Sequence, residues 1–494
     1  MKVTFNTSRI SSYRKFLAVK SLPAYSITGH SAEFPDEYAE KIGFKTEKKQ
    51  FSNWEPSDWL FDYQRFIVDL AIKKRKFAIF ADCGLGKTPM LLEFAQAAEK
   101  AIKAGGKRVL IVSPLMVINQ TCDECERFYG FRPDIVKAKD LNSWTGGNGG
   151  IGITNYDALN EETKKGNLGA LILDESSMLK SHYGKWGQTV LRIGAGLDWK
   201  LCCTGTPAPN DRIEYANHAV FLDHFQNVNS FLATYFVNKG QTQERWVLKA
   251  HALKPFYKAL SHWAFFLTNP KTYGFIDNTE TLPPINVHIH DVELTKEQKE
   301  IIGKETGELF ATKMGGITSR SVMGQIAKGS YRGRDIDSNK PGFIVDLINS
   351  WPAESTIIWC IYNREQELLE KAIPDAASIT GSTPPEKRQK LIDEFKSGKR
   401  KVLISKPKIL GFGLNLQIAT RQIFSGLQDS YESYYQAVKR SNRIGSTKPL
   451  NVHIPITDVE QPMIDSVLKK AHRVNADTKQ QELLFRNSFK KGEQ

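Results

Sequence analysis

Two glycines, a lysine and a threonine separate an apolar run from a helical pattern in KFAIFADCGLGKTPMLLEFA, residues 76–95. The strict phosphate-loop pattern is G-x-x-x-x-G-K-[ST], and residues 81–88 depart from it only in having alanine first. Glycines let backbone amides approach phosphate oxygens, and the helix that follows presents its positive end. A glycine-rich turn with a chance lysine is the alternative, but the order strand, loop, helix favours a triphosphate site. The predicted nucleotide-binding residues of this loop are Cys83, Gly84, Leu85, Gly86, Lys87 and Thr88.

Within that loop, Lys87 is predicted to neutralise the β- and γ-phosphates, and Thr88 to ligate Mg²⁺. The metal also needs a carboxylate from a neighbouring strand, and the apolar run of ALILDESS ends in two acids. We expect Asp174 to hold Mg²⁺ through water and Glu175 to orient and deprotonate the attacking water. An Asp-Glu pair could instead cap a helix, but the loop upstream favours catalysis. The pair of motifs predicts an NTPase.

The elements that must position these residues repeat along the chain. Apolar runs that end in small or polar residues alternate with helical stretches such as PMLLEFAQAAEKAIKA and REQELLEKAI, which predicts doubly wound α/β units with parallel sheets. Two such blocks, about 56–211 and 341–460, predict two lobes with a cleft between them. The predicted strands lie in RVLIVSP, IGITNYDAL and KLCCTGTPAPN, and then in STIIWCIYN, KVLISKPKILGFGLNL, RQIFSG and NVHIPI.

Composition narrows the class of protein. The chain has 494 residues, a net charge of +14 and a pI near 9.2, and basic excess favours nucleic acid as a partner. No apolar run approaches the ~20 residues that span a bilayer, and the N-terminus lacks the apolar region of a signal peptide. We therefore expect no membrane association and a cytoplasmic protein. Six cysteines in so long a chain do not predict a disulfide framework.

Further motifs occur in a fixed order between residues 60 and 460. They are Tyr63-Gln64, SPLMVINQ (113–120), TNYDAL (154–159), DESS (174–177), TGTPAPN (204–210), GSTPPEKRQKLIDEF (381–395), GFGLNL (411–416) and QAVKRSNRIGS (436–446). In types and order they resemble the motifs of superfamily 2 helicases, and specifically of the SNF2-like family. Being compact, the chain looks most like phage-encoded or bacterial members. It departs from the family at Ser176-Ser177, Lys439, Asn442 and Ser446.

The resemblance implies two tandem RecA-like lobes of the P-loop NTPase class with SNF2-type helical insertions. The expected boundaries are an N-terminal accessory segment at 1–55, lobe 1 at 56–283 with an insertion at about 212–283, and lobe 2 at 284–494. Lobe 2 is expected to hold an insertion at about 295–340 and a helical tail at about 461–494. Residues 1–55 carry no motif, and SYRKFLAVKSLP is either a basic helix that touches DNA or a packing helix.

The resemblance also implies site residues and ligands, namely ATP and Mg²⁺. Tyr63 and Gln64 would read adenine, and Gly413 and Gln436 would join the nucleotide site. Arg440 and Arg443 are three residues apart, which predicts one helical face. As arginine fingers they would stabilise the γ-phosphate when the cleft closes.

The expected partner is DNA, bound without sequence preference and with duplex favoured. The residues expected to contact it are Ser113, Pro114, Thr154, Asn155, Gly381, Ser382 and Asn415. The favoured function is an ATP-dependent DNA translocase. A conventional strand-separating DNA or RNA helicase, or a nucleotide-switched nucleic-acid-binding protein, remains the alternative.

Overall fold

The computed structural model describes residues 1–22, 25–34, 38–44, 54–179, 184–240, 245–276, 282–312, 317–410, 414–427, 431–443 and 445–490. It divides into two compact units. The first unit comprises Met1–Asp277 and Val474–Gln494, and the second comprises Asn278–Arg473.

The sequence predicts that the C-terminal segment belongs to lobe 2, but Val474–Gln494 belongs to the first unit. Two contacts explain this grouping. The guanidinium of Arg212 donates to the carboxylate of Asp477. The backbone amide and hydroxyl of Thr268 both donate to Oε1 of Glu482, at 2.6 and 2.5 Å. Such pairings join residues more than 200 positions apart, so no local pattern could indicate them.

A seven-stranded parallel sheet organises the first unit, in the order β12-β4-β9-β8-β5-β7-β6. The strands of this unit are β1 (Lys2–Thr4), β2 (Ser26–Thr28), β3 (Ser31–Glu33), β4 (Lys76–Ala81), β5 (Arg108–Ser113), β6 (Asp134–Ile135), β7 (Ile151–Asn155), β8 (Leu168–Asp174), β9 (Trp199–Cys203), β10 (Phe236–Asn238), β11 (Trp246–Leu248) and β12 (Ala264–Leu267). Its helices before the C-terminal segment are α1 (Ile10–Val19), α2 (Asp62–Lys74), α3 (Lys87–Ile102), α4 (Ile118–Tyr129), α5 (Leu141–Gly146), α6 (Lys185–Gly194), α7 (Tyr215–Phe221), α8 (Val228–Tyr235) and α9 (Leu253–Trp263).

The central strands are apolar because both faces of the sheet are covered. All seven residues of β8 are buried, and its side chains alternate between two cores. Leu171 and Leu173 belong to one hydrophobic cluster, whereas Ala170 and Ile172 belong to the other. Near-continuous apolar runs are typical of parallel strands buried on both sides. The predicted fold class is confirmed for this half of the chain.

The expected helical insertion at 212–283 contains more than helices. It holds α7 to α9 together with the antiparallel hairpin of β10 and β11. Within this insertion α9 ends at Trp263, and Ala264–Leu267 forms edge strand β12 parallel to β4. The expectation of a purely helical insertion was wrong here, since a short apolar run such as AFFL does not distinguish a buried strand from a helix.

A six-stranded parallel sheet organises the second unit, in the order β13-β20-β19-β16-β18-β17. The strands are β13 (Ile285–Asp291), β14 (Ser330–Tyr331), β15 (Arg334–Asp335), β16 (Thr356–Trp359), β17 (Ala377–Ser378), β18 (Val402–Ser405), β19 (Arg421–Phe424) and β20 (Leu450–Ile456). The remaining helices are α10 (Lys296–Thr312), α11 (Ile317–Ala327), α12 (Asn339–Ser350), α13 (Asn363–Ala372), α14 (Pro385–Lys396), α15 (Pro407–Leu410), α16 (Tyr431–Val438) and α17 (Gln461–Lys490).

The core of this sheet includes Ile358, Ile404 and Ile423, one from each of three adjacent strands. The insertion expected at 295–340 contains α10, α11 and the short hairpin of β14 and β15. Across the described ranges, no helix has the length and apolar character needed to cross a membrane.

Candidate functional site

The phosphate loop joins the end of β4 to the start of α3. Gly84 and Gly86 have φ values of +88° and +74°, the left-handed region in which residues with a Cβ are strained. The ammonium of Lys87 donates to the carbonyl oxygens of Ala81 and Asp82, at 3.0 and 3.4 Å. The lysine is thus held over its own loop by backbone oxygens.

Three carboxyl groups and a thiol act on the ammonium of Lys87. Burial alone would lower the pKa of Lys87, but its acidic neighbours outweigh burial and raise the pKa above its ordinary value. The neighbours with this effect are Cys83, Glu175, Asp82 and Asp174. The lysine therefore stays charged at neutral pH.

The first motif of the series that resembles SNF2-like helicases, Tyr63-Gln64, is attached to this loop by hydrogen bonds. Both the Tyr63 hydroxyl and Nε2 of Gln64 donate to the carbonyl oxygen of Leu85, each at 3.2 Å. A Cβ at Gly86 would lie 2.1 Å from Nε2 of Gln64, so the side chain of Gln64 would have to shift. Oε1 of Gln64 accepts from the backbone amide of Phe61 at 3.1 Å. This geometry ties the start of α2 to the loop, and recognition of adenine stays a prediction.

The first acid of the DESS motif, Asp174, ends β8. Its Oδ2 accepts from the hydroxyl of Ser113 at 2.9 Å, and its Oδ1 from the amide of Glu175 at 3.1 Å. Its carbonyl accepts from the hydroxyl of Tyr156 at 2.7 Å. Burial and then the charge of Glu175 raise the pKa of Asp174 to about 6, although Ser113 and Lys87 act in the opposite direction. Added positive charge is therefore favourable here.

The second acid, Glu175, adopts φ +47°, an uncommon conformation for a residue with a side chain. Its Oε2 accepts from the hydroxyl of Thr204, which directly follows β9, at 3.2 Å. The next residue, Gly205, lies against the phosphate loop, since a Cβ there would be 3.5 Å from Nζ of Lys87. The carboxyl ends of β4, β8 and β9 thus place the lysine, the acids and Thr204 together, at the edge where parallel sheets bind ligands.

The donor set fits Mg²⁺ and a triphosphate. Magnesium prefers carboxylate and hydroxyl oxygens, which Asp174 and Thr88 supply. Thr88 lies in the first turn of α3 and is partly buried. The backbone amides of the glycines and the ammonium of Lys87 are suited to phosphate oxygens. The raised pKa of Asp174 indicates that a bound cation would stabilise its ionised carboxylate.

Two of the DNA contacts expected in the first unit are contradicted by the burial of their side chains. The side chains of Ser113 and Thr154 are fully buried, and their hydroxyls bond to Asp174 and to the carbonyl oxygen of Val136 (2.7 Å). They lie at the ends of central strands, so their hydroxyls serve the interior of the unit. Pro114 and Asn155 are partly exposed, and Oδ1 of Asn155 accepts from the amide of Ala158 at 2.9 Å.

The two arginines of the second unit do not share a helical face. Helix α16 ends at Val438, and the chain continues as a turn in which the amide of Arg440 donates to the carbonyl of Ala437 at 3.1 Å. Arg440 is buried, whereas Arg443 is partly exposed. The interpretation of Arg-x-x-Arg as helical was wrong, because the spacing alone does not show where a helix ends.

The other predicted residues of the second unit fall into three groups. Gln436 is buried within α16. Gly381, Ser382 and Asn415 are exposed in loops. Gly413 lies outside the described residues.

Two groups next to the site were not predicted. The carboxylate of Glu93 on α3 is buried and accepts from Nε1 of Trp54 (2.9 Å) and from the hydroxyl of Tyr129 (3.0 Å), which attaches the segment before α2 to the phosphate-loop helix. Nε2 of His218 lies 3.0 Å from the hydroxyl of Ser176 in the DESS motif, and burial lowers the pKa of His218 to about 4. In the sequence, Glu93 and His218 stand out only as polar residues on the apolar face of a helix.

Comparison with known families agrees with this geometry. The SNF2-related domain matches residues 63–339, more than half of the chain, and the helicase conserved C-terminal domain matches residues 339–445. The chain belongs to the SNF2-related family. The seven-stranded and six-stranded sheets of this SNF2-family chain lie largely within the matched segments.

Relatives of this SNF2-family chain include ATP-dependent helicases of yeasts. The helicase fft1 of Schizosaccharomyces pombe is 32% identical over 25% of this chain and 14% of its own length. FUN30 of Saccharomyces cerevisiae is 22% identical over 85% of this chain and 46% of its own length. The chain thus spans less than half the length of these relatives. The solved Sulfolobus solfataricus SWI2/SNF2 ATPase core in complex with dsDNA is 18% identical, with a TM-score of 0.40, over 89% of this chain and 97% of that chain.

Proposed function

We propose that this chain is an ATP hydrolase that couples hydrolysis to movement along DNA, an ATP-dependent DNA translocase. The observation that carries the proposal is the convergence of Lys87, Asp174 and Glu175 at the carboxyl ends of β4 and β8, with Thr204 beside them. A protein that only binds nucleotide needs the lysine. A second, hydrogen-bonded carboxylate is needed to activate water.

In this proposal each residue has a distinct task. The loop amides and Lys87 bind the phosphates of ATP, and Asp174 with Thr88 holds Mg²⁺, which would neutralise charge on the phosphate oxygens. Glu175, oriented by Thr204, accepts a proton from the attacking water. The water oxygen bonds to the γ-phosphorus, the bond to the bridging oxygen breaks, and ADP and phosphate leave.

The arginines of the second unit are assigned by motif. We propose that Arg443, with Arg440, supplies positive charge to the γ-phosphate in the transition state. Arg443 is favoured over Arg440 because it is partly exposed, whereas Arg440 is buried. Turnover measurements decide this assignment.

The proposed substrate track is DNA, with duplex favoured. The net charge of +14 suits a polyphosphate, and the exposed Gly381, Ser382 and Asn415 are proposed to meet the backbone. Backbone contacts carry no sequence information, so binding should be unspecific and should weaken steeply with salt.

The test is ATPase activity titrated with duplex DNA, single-stranded DNA and RNA, with Glu175→Gln as the inactive control. We expect duplex DNA to stimulate turnover at least as well as single strands, and RNA poorly. Triplex displacement measures movement, and a third strand should be displaced more readily than a long duplex is unwound. Strong unwinding of a long duplex without duplex-stimulated ATPase would overturn the translocase proposal in favour of a strand-separating helicase.

A further inference from the structure

The N-terminal element of the first unit, which comprises α1 and the sheet of β1, β2 and β3, is rich in basic residues at its start. The first 32 residues contain no acid, and their basic residues are Lys2, Arg9, Arg14, Lys15 and Lys20. In the structure this stretch forms α1 and the antiparallel sheet β1-β3-β2. The first acid, Glu33, ends β3, whereas α1 itself carries only positive charge, which suits a polyanion.

Helix α1 has two different faces. The inner face packs into the core through Val19 and through Phe16, whose ring meets that of Phe5 at 5.5 Å. The outer face presents Ile10, Tyr13 and Leu17, which are 73%, 44% and 42% exposed. Their spacing of three and four residues places them on one stripe.

Two arginines accompany the stripe. Arg14 is exposed within it, and Arg9 is exposed at the start of the helix. We call Arg9, Ile10, Tyr13, Arg14 and Leu17 the outer patch. It combines a half-exposed aromatic ring, two aliphatic side chains and two guanidinium groups.

The outer patch belongs to a firmly attached element. The ring of Tyr38 meets the rings of His224 and His262 at 6.4 and 5.4 Å, and Nε2 of Gln226 donates to the carboxylate of Glu33 at 2.7 Å. These contacts fix the N-terminal element to the helices around α7 and α9, so α1 presents its outer face from a defined support.

We propose that the outer patch binds unpaired nucleotides of DNA, as a contact separate from the ATPase site. Guanidinium groups bind phosphates, and an aromatic ring flanked by aliphatic side chains offers a surface for base faces, a combination typical of single-strand binding. Base faces are covered in a duplex, so the apolar stripe favours unpaired nucleotides. A ten-residue helix is ~15 Å long, which suits a few nucleotides but is short for a stable protein interface of ~800 Å² per partner.

The test uses the full chain without nucleotide, so that it does not depend on the proposed ATPase. Fluorescence anisotropy with a labelled oligo-dT strand compares wild type, Tyr13→Ala and Tyr13→Phe over a range of salt concentrations. We expect Tyr13→Ala to weaken binding about tenfold, since stacking contributes ~1–3 kcal/mol per base, and Tyr13→Phe to bind like wild type.

Charge variants test the phosphate contacts. The double variant Arg9→Gln/Arg14→Gln should reduce the slope of log K against log salt by about 1.4, or ~0.7 per phosphate contact on a single strand. Lys103→Gln/Lys107→Gln is the matched control, because it removes two exposed charges near the amino end of β5. The control should leave the slope unchanged.

Three results would overturn the proposal. The first is wild-type binding of oligo-dT by both Tyr13→Ala and the arginine double variant. The second is an equal loss for blunt duplex, which would show that the patch does not select unpaired nucleotides. The third is loss of binding to phosphatidylserine vesicles in these variants with oligo-dT binding intact, which would assign the patch to a membrane.

Discussion

Each of the two units holds a cluster of charged side chains that is largely buried, and the charges of the two clusters are balanced in opposite ways. The phosphate-site cluster of the first unit comprises Lys87, Asp174 and Glu175. The ion-pair cluster of the second unit comprises Lys328, Lys340 and Glu460. In the ion-pair cluster each oxygen of Glu460 accepts one lysine ammonium. In the phosphate-site cluster, the lysine binds backbone carbonyls and the acids bind hydroxyls.

The pKa values follow this difference. Burial would raise the pKa of Glu460, but Lys328 and Lys340 outweigh it and lower the value to about 2. Burial and Glu175 raise the pKa of Asp174 to about 6. The protein itself pairs the charges of the ion-pair cluster. Among the described residues Asp174 and Glu175 form no direct ion pair and bind hydroxyls instead, an arrangement suited to a charged ligand. This contrast separates a structural cluster from a candidate catalytic one.

The largest expected effect is on catalysis in the phosphate-site cluster. Glu175→Gln should lower kcat by up to about 10⁴-fold, since it removes a general base, and should retain ATP affinity. Lys87→Ala should instead abolish ATP binding or turnover, because the lysine meets phosphate in the ground state. Steady-state ATPase assays and nucleotide titrations measure both effects. Turnover of Glu175→Gln near the wild-type rate would remove the catalytic half of the comparison.

The next largest effect is expected at Arg443, the proposed arginine finger of the second unit. Arg443→Ala should slow hydrolysis on the order of 10³-fold with nucleotide affinity largely kept. Lys439→Ala is the matched control, because it removes a neighbouring cation that lies 5.6 Å from the ring of Tyr435. Unchanged turnover in Arg443→Ala would transfer the proposed role to Arg440 or exclude an arginine finger.

The ion-pair cluster should show its role in stability. Glu460→Gln removes the carboxylate to which two buried ammonium groups donate, and breaking such a pair costs ~3–5 kcal/mol. Hydrogen exchange of peptides that cover α11 and β20 should report this loss in the free energy of opening. Glu394→Gln, which breaks surface pairs with Lys399 and Arg400, should cost less because water screens them. Equal losses would show that the buried cluster has no special structural role.

The smallest expected effect is a gain in stability, rather than a loss, and it depends on pH. The folded-state pKa of Asp174 is raised from 3.8 to about 6, so its contribution to stability is full below pH 3.8 and is lost as pH rises through 6. Asp174→Asn should therefore stabilise the nucleotide-free protein by ~1–3 kcal/mol at pH 7.5, at 1.36 kcal/mol per pKa unit less a lost hydrogen bond. The difference should vanish near pH 4.

Denaturation of Asp174→Asn and wild type, followed at both pH values without Mg²⁺, measures the effect. A variant that is less stable than wild type at pH 7.5 would show that the protein already balances Asp174. The two clusters would then not differ in kind.

The strands that carry the site could be predicted because their signals are local. Short apolar runs, each followed by a motif that contains glycine, lysine or an acid, identified β4, β8 and β9 and the fold class. The limits of elements were less predictable. Strand β12 continues directly from α9, and α16 ends before Arg440. Neither limit could be predicted, because each depends on which part of the protein packs over the residues.

The sequence by itself determined which residues are proposed to form the phosphate site, since Lys87, Thr88, Asp174 and Glu175 occupy positions in short motifs whose spacing is set by one loop or one strand end. Only the tertiary structure decided what those groups contact. Ser113 bonds to an acid 61 residues away, and Lys328 pairs with a carboxylate 132 residues away. The physical reason is that spacing along the chain fixes which face a side chain shares with its near neighbours. Which hydroxyl or ammonium lies opposite a buried carboxylate is fixed by the order of strands and by helix packing.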